Sequence, residues 1–322
     1  MNLTGEKVVV IGGAGLIGSH VVDQLLAEPV AEIVVFDNFA RGTRSNLTKA
    51  TADRRVRILE GSITDLPLLA RAVEGAAGVF HLAALWLYEC VHEPRSAIDV
   101  NVVGTFNVIE ACQRAMVRKV VYSSSASVYG DAVFTPMTEE HPFNNRTMYG
   151  ATKIAGEQLF RASYEQHRLD YVALRYMNVY GPRMDYKGAY VSVIMKVLDR
   201  IEQNLPPVIF GDGSQSYDFV HAVDAARANV LAMKSDRADT VYNVGAGVKT
   251  TINELVRCLL DLTASSLVPE YRDEPMFVTH RVGSTAKAAA ELGFVASVPL
   301  AAGLQSVVAW RRAERAAAPQ VV

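Results

Sequence analysis

Half of the 322 residues are hydrophobic, so the chain can bury the core of one large domain or of two smaller domains. Its 32 Lys and Arg residues nearly balance its 34 Asp and Glu residues, and no basic stripe interleaved with aromatic residues indicates a nucleic-acid partner. The three cysteines form no Cys-x-x-Cys motif, the histidines show no ligand spacing, and no apolar run approaches the ~20 residues that cross a bilayer. We therefore expect a cytoplasmic protein without a signal peptide, a membrane anchor, a disulfide framework or a bound metal.

The chain opens with the pattern of a dinucleotide-binding turn. Lys7 to Ile11 predict a buried strand, Gly12 to Gly18 supply the spacing Gly-x-x-Gly-x-x-Gly, and an apolar-periodic helix runs to Leu26. Glycines between a strand and a helix let backbone N–H groups approach a pyrophosphate at the positive end of the helix. A second strand, Glu32 to Phe36, ends in Asp37, whose carboxylate accepts hydrogen bonds from a ribose 2′-OH and repels a 2′-phosphate. An ordinary tight turn is the alternative, but the full set predicts NAD, and not NADP, as the cofactor.

Strands and helices continue to alternate through the first half of the chain. This alternation predicts an α/β fold with a doubly wound parallel sheet (a Rossmann fold), in which ligands gather at the C-terminal ends of the strands. Helices are predicted from Asp65 to Val73, Asn101 to Arg114 and Tyr149 to His167, and strands at Val56 to Leu59, Gly78 to Leu82, Lys119 to Ser123 and Tyr171 to Tyr176. The residues at the strand ends are Gly12, Asp37, His81 to Ala84, Ser123 to Ser125 and Asn178.

Tyr149 and Lys153 are predicted to form a catalytic pair. They are four residues apart on a predicted helix, so both side chains lie on one face. A free tyrosine titrates at about 10, and a neighbouring ammonium group favours the phenolate, which can take a proton from a substrate hydroxyl. A hydroxyl from the cluster Ser123 to Ser125 can hold the same substrate oxygen. These groups suit the oxidation of an alcohol, and a pair on the surface of a helix is the simpler alternative.

The second half of the chain has a different composition and predicts a smaller, α/β substrate-binding domain. Gly181-Pro182, Pro206-Pro207 and Gly211-Asp212-Gly213 interrupt shorter elements, and Thr251 to Glu254 form a capping-box pattern that opens a helix through Leu262. We expect an NAD-binding domain at residues 1–177 with a return segment near 214–240. We expect a lid domain at 178–213 and 241–312, followed by a flexible tail at 313–322.

Together these residues resemble the extended short-chain dehydrogenases/reductases, and within them the NAD-dependent epimerase/dehydratase family. The resemblance covers nearly the whole chain and is greatest to UDP-glucose 4-epimerases and their relatives that act on nucleotide sugars. It implies a domain that binds NAD, a lid that binds a sugar nucleotide, and a homodimer formed through the helices Asn101 to Arg114 and Tyr149 to His167. The motifs that carry the resemblance are Gly12-x-x-Gly15-x-x-Gly18, Asp37-Asn38, His81-Leu-Ala-Ala84, Asn101, Ser123-Ser-Ser-Ala-Ser-Val-Tyr-Gly130, Tyr149-x-x-x-Lys153, Leu174-Arg-Tyr-Met-Asn178-Val-Tyr-Gly-Pro182, Gly211-Asp-Gly213 and Asp218-Phe-Val-His-Ala-Val-Asp224.

By this resemblance, the site residues divide into catalytic, cofactor-binding and substrate-binding groups. Tyr149 is the implied base, Lys153 also holds the nicotinamide ribose, and Ser125 binds the reacting sugar oxygen. The implied cofactor-binding residues are Gly12, Gly15, Leu16, Ile17, Asp37, Asn38, Ser62, Ile63, Leu82, Ala83, Ala84, Asn101, Ser123, Tyr149, Lys153 and Tyr176. The implied substrate-binding residues are Trp86, Ser125, Asn178, Tyr217 and Arg281. Structural alternatives remain for Asn101 (a helix cap), Tyr176 (core packing) and Asn178 (a turn residue).

The positions after Ser125 narrow the implied reaction. Dehydratases of the family carry an Asp-Glu pair there and decarboxylating members carry a Glu, whereas this chain has Ala126 and Ser127, which cannot act as acid and base. The residues therefore favour the 4-epimerisation of a UDP-hexose through a transient 4-keto sugar. The alternatives are a decarboxylase or 4,6-dehydratase with its acid elsewhere, a UDP-glucuronate 4-epimerase, and a protein that only senses dinucleotides.

Four positions differ from the pattern of the family. Ser62 stands where an Asp normally contacts adenine, and Tyr217 stands where an Arg normally binds a substrate phosphate, which removes a bidentate donor. Trp86 lies in a segment that normally carries small and polar residues facing the sugar, so it either shapes the sugar pocket or packs. Arg281 lies near a position that gates the size of the sugar, and it either binds a carboxylate or stays solvated.

Overall fold

A computed structural model describes residues 1–186, 192–273 and 280–317. No helix in these residues is long and apolar enough to cross a membrane. The helices are α1 (Leu16–Leu25), α2 (Leu66–Val73), α3 (Leu87–His92), α4 (Pro94–Ile98), α5 (Thr105–Arg114), α6 (Met148–His167), α7 (Val193–Glu202), α8 (Ala222–Lys234), α9 (Ile252–Thr263), α10 (Ala286–Leu292) and α11 (Leu300–Ala317). The strands are β1 (Lys7–Ile11), β2 (Glu32–Asp37), β3 (Val56–Glu60), β4 (Gly78–His81), β5 (Lys119–Ser125), β6 (Asp170–Tyr176), β7 (Asn178–Tyr180), β8 (Val208–Phe210), β9 (Ser216–Tyr217), β10 (Phe219–His221), β11 (Thr240–Val244), β12 (Thr250–Thr251), β13 (Glu270–Arg272) and β14 (His280–Arg281).

Seven of these strands form one parallel sheet in the order β11-β6-β5-β4-β1-β2-β3. This order confirms the predicted doubly wound α/β fold, because the chain winds from β1 to β3 and then returns beside β1 to wind the other way. Helices cover both faces, so the central strands are continuous runs of buried apolar residues, such as Val8 to Ile11 in β1. The reversal between β1 and β4 therefore opens the crevice at which the predicted ligand residues end their strands.

The helix predicted to start at Asn101 begins earlier in the structure. Helical geometry starts with α4 at Pro94, a residue that favours the first helical position, and continues through a π-helical turn at Asp99–Gly104 into α5. Asn101 therefore lies inside a helical run, which excludes its alternative role as a helix cap.

The return segment predicted near 214–240 extends further along the chain than expected. β11 pairs in parallel with β6 and forms an edge of the large sheet, where Tyr242 and Val244 are fully buried. The boundary predicted at residue 241 is therefore wrong for this strand, whose β-branched and aromatic residues favour a pleated, buried surface. The wider division into an NAD-binding domain and a lid stays a prediction.

The second half of the chain forms an apolar core separate from the two that cover the large sheet. Helices α7, α9 and α11 pack together around residues that include Ile194, Leu255 and Leu304. The predicted capping box is confirmed, because Thr251 Oγ1 accepts the Glu254 amide at 3.1 Å while the Glu254 carboxylate accepts the Thr251 amide at 2.7 Å. Strands β9, β12 and β14 form a small sheet on this side of the molecule.

The predicted flexible tail is helical over half of its length. Helix α11 continues to Ala317, which contradicts a flexible segment that starts at residue 313. Alanine has the highest helix propensity, and both Arg311 and Arg315 form ion pairs with Glu202 on α7, so the helix is held against α7. Residues 318–322 of the predicted tail lie outside the described residues.

Candidate active site

The glycine turn after β1 brings three segments of backbone into close contact. Gly12 adopts a φ of +79°, and a Cβ atom there would lie 2.6 Å from the amide nitrogen of Ala83, so only glycine fits. A Cβ atom on Gly18 would overlap the carbonyl oxygen of Gly12. These two contacts let α1 and the segment after β4 approach the end of β1 directly.

The start of α1 is open by comparison. A Cβ atom on Gly15, the residue before the helix, would have its nearest neighbour 3.4 Å away, which is ordinary van der Waals contact. The first amides of a helix, here those of Leu16 and Ile17, have no acceptor within the helix and carry its positive end. This uncrowded helix end fits the pyrophosphate of a dinucleotide.

Asp37 holds the glycine turn as well as the end of β2. Its carboxylate oxygens accept hydrogen bonds from the amides of Ala14, at 2.9 Å, and Phe39, at 2.8 Å. Burial raises the pKa of Asp37, and the two backbone bonds oppose this rise. The carboxylate therefore lies beside the turn, in the place predicted for a ribose diol. The neighbouring Asn38 accepts the Ala40 amide at 3.1 Å and shapes the loop that follows.

The remaining residues predicted on the adenine side follow β3 and β4. The Ser62 hydroxyl lies 2.8 Å from the Thr64 hydroxyl and accepts the Thr64 amide at 3.2 Å, so it closes a local turn. Ile63 is buried, and its carbonyl accepts a 2.9 Å hydrogen bond from the Asn107 side chain. The partly buried residues directly after β4 are Leu82, Ala83 and Ala84.

Tyr149, Ser125 and Lys153 meet where α6 lies on the end of β5. Ser125 is the hydrogen-bond neighbour of the Tyr149 phenol. The Lys153 Nζ atom donates a 2.7 Å hydrogen bond to the carbonyl oxygen of Ser123 and lies 5.7 Å from the centre of the Tyr149 ring. The structure thus brings together the three side chains that the sequence predicts as catalytic.

Burial dominates the ionisation of this group. It raises the pKa of Tyr149 to about 12, although the hydrogen bond with Ser125 and the charges of Arg41 and Arg281 act in the opposite direction. Burial also lowers the pKa of Lys153 to about 8. The expectation that Lys153 lowers the pKa of Tyr149 toward neutrality is therefore wrong when only the protein's own groups act on the phenol. The phenol is removed from water, and the ammonium group points at a backbone carbonyl.

Tyr176 lies beneath this group and orients one of the serines. Its hydroxyl lies 3.1 Å from the Ser123 hydroxyl and exchanges hydrogen bonds of 2.8 and 3.0 Å with the Asn229 side chain. Tyr176 is buried, and burial raises its pKa to about 12. Sequence analysis missed Asn229, because it lies on α8 and no local pattern links it to β6.

Asn101 holds the segment after β4 against the catalytic helix. Its Oδ1 accepts the Leu85 amide at 2.7 Å, and its Nδ2 donates to the Leu85 carbonyl at 2.8 Å and to the Thr152 hydroxyl at 3.1 Å. Because Thr152 precedes Lys153, Asn101 joins the π-helical turn, the β4 loop and α6. Its predicted support of the cofactor pocket stays a prediction, and the contacts that it makes are with the backbone of this loop.

Three of the residues predicted to bind the substrate, Asn178, Tyr217 and Arg281, lie on β7, β9 and β14. The backbone N–H of Asn178 donates a hydrogen bond to the Asp218 carbonyl at 2.9 Å. The side-chain Nδ2 of Asn178 is buried without a hydrogen-bond partner among the described residues. Arg281 in β14 lies opposite Tyr217 in β9 in a parallel pairing. Within the described ranges, the buried Nε of Arg281 also has no partner, and burial lowers its pKa. Buried donors are normally satisfied, so these two indicate a ligand rich in oxygen.

Arg41 is a site residue that sequence analysis missed. Its guanidinium carbon lies 3.2 Å from the centre of the Trp86 ring, and its Nε lies 3.3 Å from the Asp185 carboxylate. Its charge also acts on Tyr149. Trp86 therefore packs against an arginine from the loop after β2. No local pattern around Arg41 indicates its contact with Asp185, since Asp185 is 144 positions away in the chain.

Fold and site together define a class of protein. An α/β enzyme with a dinucleotide turn after its first strand and a Ser-Tyr-Lys group at the ends of β5 and α6 is an extended short-chain dehydrogenase/reductase. Comparison with known proteins gives the family: the model of the NAD dependent epimerase/dehydratase family matches residues 8–245, and the chain belongs to this family. Its cofactor is accordingly NAD, which the open helix end and the carboxylate of Asp37 fit.

Individual relatives match over nearly their whole length. The putative UDP-glucose 4-epimerase of Methanocaldococcus jannaschii is 32% identical, over 95% of this chain and 98% of its own. The dTDP-glucose 4,6-dehydratase of an Actinoplanes species is also 32% identical, over 96% of this chain and 98% of its own. The structure of the UDP-N-acetylglucosamine 4-epimerase of Methanobrevibacter ruminantium with UDP-N-acetylmuramic acid is 33% identical. Its TM-score is 0.91, over 97% of this chain and 99% of that chain. Epimerases and a dehydratase match alike, so the comparisons establish an NAD-dependent sugar-nucleotide enzyme.

Two glycine substitutions separate folding from cofactor binding. Gly18→Ala forces a methyl group into the Gly12 carbonyl, so we expect it to lower the free energy of unfolding by about 1–3 kcal/mol. Gly15→Ala has room within the protein but places its methyl group at the open helix end. We expect this variant to unfold as the wild type does and to bind NAD about tenfold more weakly, a loss of ~1.4 kcal/mol. Urea unfolding and calorimetric titration with NAD measure both effects; equal stability of the two variants would contradict the packing argument.

Proposed function

We propose that this enzyme is a nucleotide-sugar 4-epimerase of the UDP-hexose class. The observation that carries the proposal is the chemistry around Tyr149. Ala126 and Ser127 follow Ser125, and the Ser127 amide bonds back to the Ser125 hydroxyl at 3.1 Å. Elimination of water requires an additional acid and base beside the phenol, whereas 4-epimerisation requires one group that moves a proton. After burial, the largest influences on the pKa of the phenol come from Ser125, Cys90, Arg41 and Arg281, none of which is a carboxylate.

Tyr149 is the proton-transfer group in this proposal. Bound NAD supplies the acceptor for hydride in the first half of the reaction and the donor in the second half. Tyr149 takes the proton of the C4 hydroxyl, while Ser125 holds the same oxygen and the charges of Arg41 and Arg281 favour the phenolate. Lys153 is the proposed partner of the nicotinamide ribose. The pocket would have to let the 4-keto sugar turn over, so that hydride could return to its other face. Tyr149 then returns the proton to the C4 oxygen, so the cofactor leaves the cycle unchanged.

Arg281 is the proposed cation for the substrate diphosphate. The pairing of β9 with β14 puts it beside Tyr217, where the family normally carries a phosphate-binding arginine. Its buried Nε has no partner among the described residues, and a guanidinium group binds phosphate oxygens in a bidentate manner. This role differs from the contact with a sugar carboxylate that the sequence suggested. The small sheet supports the phosphate role, because Arg281 on β14 supplies, one strand away, the positive charge that Tyr217 on β9 lacks.

The first experiment is incubation with UDP-sugars, namely the glucose, N-acetylglucosamine and glucuronate forms, with products identified by mass and proton NMR. We expect an isomer of unchanged mass that is inverted at C4. Tyr149→Phe removes the proton-transfer group and keeps the ring, so we expect it to retain NAD and lose at least about 100-fold in kcat. Loss of water or carbon dioxide from the sugar would favour a dehydratase or decarboxylase instead. Full activity of Tyr149→Phe would exclude its assigned role.

Substitution of Arg281 distinguishes a phosphate contact from a carboxylate contact. If Arg281 binds the diphosphate, Arg281→Gln raises KM for UDP-glucose and UDP-glucuronate alike. The expected rise is roughly 10- to 100-fold, because a charged hydrogen bond contributes about 1.5–3 kcal/mol. A rise for UDP-glucuronate alone would show that Arg281 binds a sugar carboxylate. Arg257→Gln, at an exposed position of α9, is the control that removes a charge away from the site.

We also propose that two copies of the chain pair through α5 and α6. Large apolar side chains are exposed along these elements: Val103 (49%) on the π-helical turn before α5, Phe106 (50%) on α5 and Met148 (39%) at the start of α6. Phe106→Glu places a charge in the proposed interface, so we expect sedimentation to show a dimer for the wild type and a monomer for the variant at micromolar concentration. Val223→Glu changes a similarly exposed residue on α8 and should remain a dimer. A monomeric wild type would exclude the proposal.

A further inference from the structure

A buried ion pair lies beneath the catalytic serines and has no part in the chemistry described above. Glu157 on α6 and Arg175 on β6 have side chains that are only 3% and 4% exposed. The guanidinium group binds the carboxylate in a bidentate manner, with Nε 2.9 Å from Oε1 and Nη2 2.7 Å from Oε2.

The pair is connected to the strand that carries Ser125. Ser124 lies opposite Arg175 in the parallel register of β5 and β6, and its hydroxyl donates a hydrogen bond to the Glu157 carboxylate. The residues on either side of Ser124 are the two that contact the catalytic pair: the Ser123 carbonyl accepts Lys153, and Ser125 faces Tyr149. Strand β5 is thus joined to α6 at three consecutive residues.

The spacing along α6 matches these three contacts. Tyr149, Lys153 and Glu157 are four residues apart in turn, so they lie on one face of the helix at intervals of about 6 Å. Contact at three levels fixes both the rotation of α6 and its position along β5. A buried ion pair adds little stability compared with an apolar pair of the same size, but it is demanding in geometry.

We propose that Glu157 and Arg175 are positioning residues that hold the Tyr149 phenol and the Lys153 ammonium in register with Ser125. The inference rests on the proposed roles of these three groups. Glu157 and Arg175 act through Ser124 and through the seating of α6, and they do not touch the substrate.

The negative charge of Glu157 also acts on the Lys153 ammonium group. The ionisable groups that face Lys153 are Glu157 on its own helix, together with Cys90 on α3, His81 on β4, Tyr122 on β5 and Tyr149 on α6. Burial raises the pKa of Cys90 to about 11 and lowers that of His81 to about 3, so both are neutral near pH 7. Burial lowers the pKa of Lys153, and Cys90 and Glu157 oppose this effect; of these two, Glu157 is the ion-paired carboxylate.

The test compares Glu157→Gln with two further variants. Glu157→Gln keeps the shape and the acceptor for Ser124 and removes the charge. The double variant Glu157→Leu/Arg175→Met replaces the ion pair by apolar side chains, so that neither charge is left buried alone. It also removes the hydrogen bonds that Arg175 donates to the Tyr129 hydroxyl and the Glu139 carbonyl, both at 2.9 Å. Glu32→Gln is the control, because Glu32 forms an exposed ion pair with Arg57 at the opposite end of the sheet.

The readouts are kcat and KM for C4 inversion, the pH profile, and the pKa of Lys153 measured by NMR of isotope-labelled lysine. In Glu157→Gln we expect kcat to fall about tenfold or more with KM nearly unchanged, since small misplacements of reacting groups are costly. Loss of the carboxylate lowers the pKa of Lys153, so the alkaline limb of the profile moves to lower pH. The double variant should fold, because it leaves no buried charge unpaired, and it should not regain kcat. The control should match the wild type.

Two outcomes would overturn the inference. One is a double variant with wild-type kcat, which would make the pair a packing element only. The other is an unchanged pKa of Lys153 and an unchanged kcat in folded Glu157→Gln. If the wild-type protein inverts no nucleotide sugar, the proposed function fails by itself, and the NMR titration of Lys153 still decides whether Glu157 controls this ammonium group.

Discussion

The way helix α6 lies on strand β5 is the constraint on which the site depends. A parallel sheet gathers the C-terminal ends of its strands at one edge, but this alone does not aim a phenol at a serine. The aim comes from one helical face, on which Tyr149 and Lys153 are separated by a single turn. A slip of one residue would rotate that face by about 100° and remove both side chains from the serines of β5.

Desolvation and charge oppose each other at this site. Loss of water favours the neutral forms of both Tyr149 and Lys153, and it outweighs the hydrogen bond that Ser125 provides. The arginines that favour the phenolate, Arg41 and Arg281, come from the loop after β2 and from β14, which lie outside the catalytic helix. The reactivity of the phenol is therefore set jointly by the large sheet, the loop after β2 and the small sheet that contains β14.

The sequence was sufficient to predict the structure where the pattern is short and local. The glycine turn, the capping box at Thr251 and the four-residue spacing of Tyr149 and Lys153 are short patterns with one physical meaning, and each has the predicted local structure. Contacts such as that of Arg41 with Trp86 join distant parts of the chain, and no short pattern states which loop meets which strand end. The pKa of Tyr149 was misjudged for a related reason, because spacing along a helix gives proximity without the direction in which an ammonium points.

The two hydrogen bonds of Asp37 have a consequence for any attempt to change the cofactor. The carboxylate that disfavours a 2′-phosphate also accepts the amide of Ala14 and so holds the glycine turn closed. A replacement without a side-chain acceptor, such as alanine, lysine or arginine, also leaves a buried backbone donor without its partner. Cofactor preference and the shape of the phosphate cradle are thus coupled traits here, and redesign of one requires a new partner for the amide of Ala14.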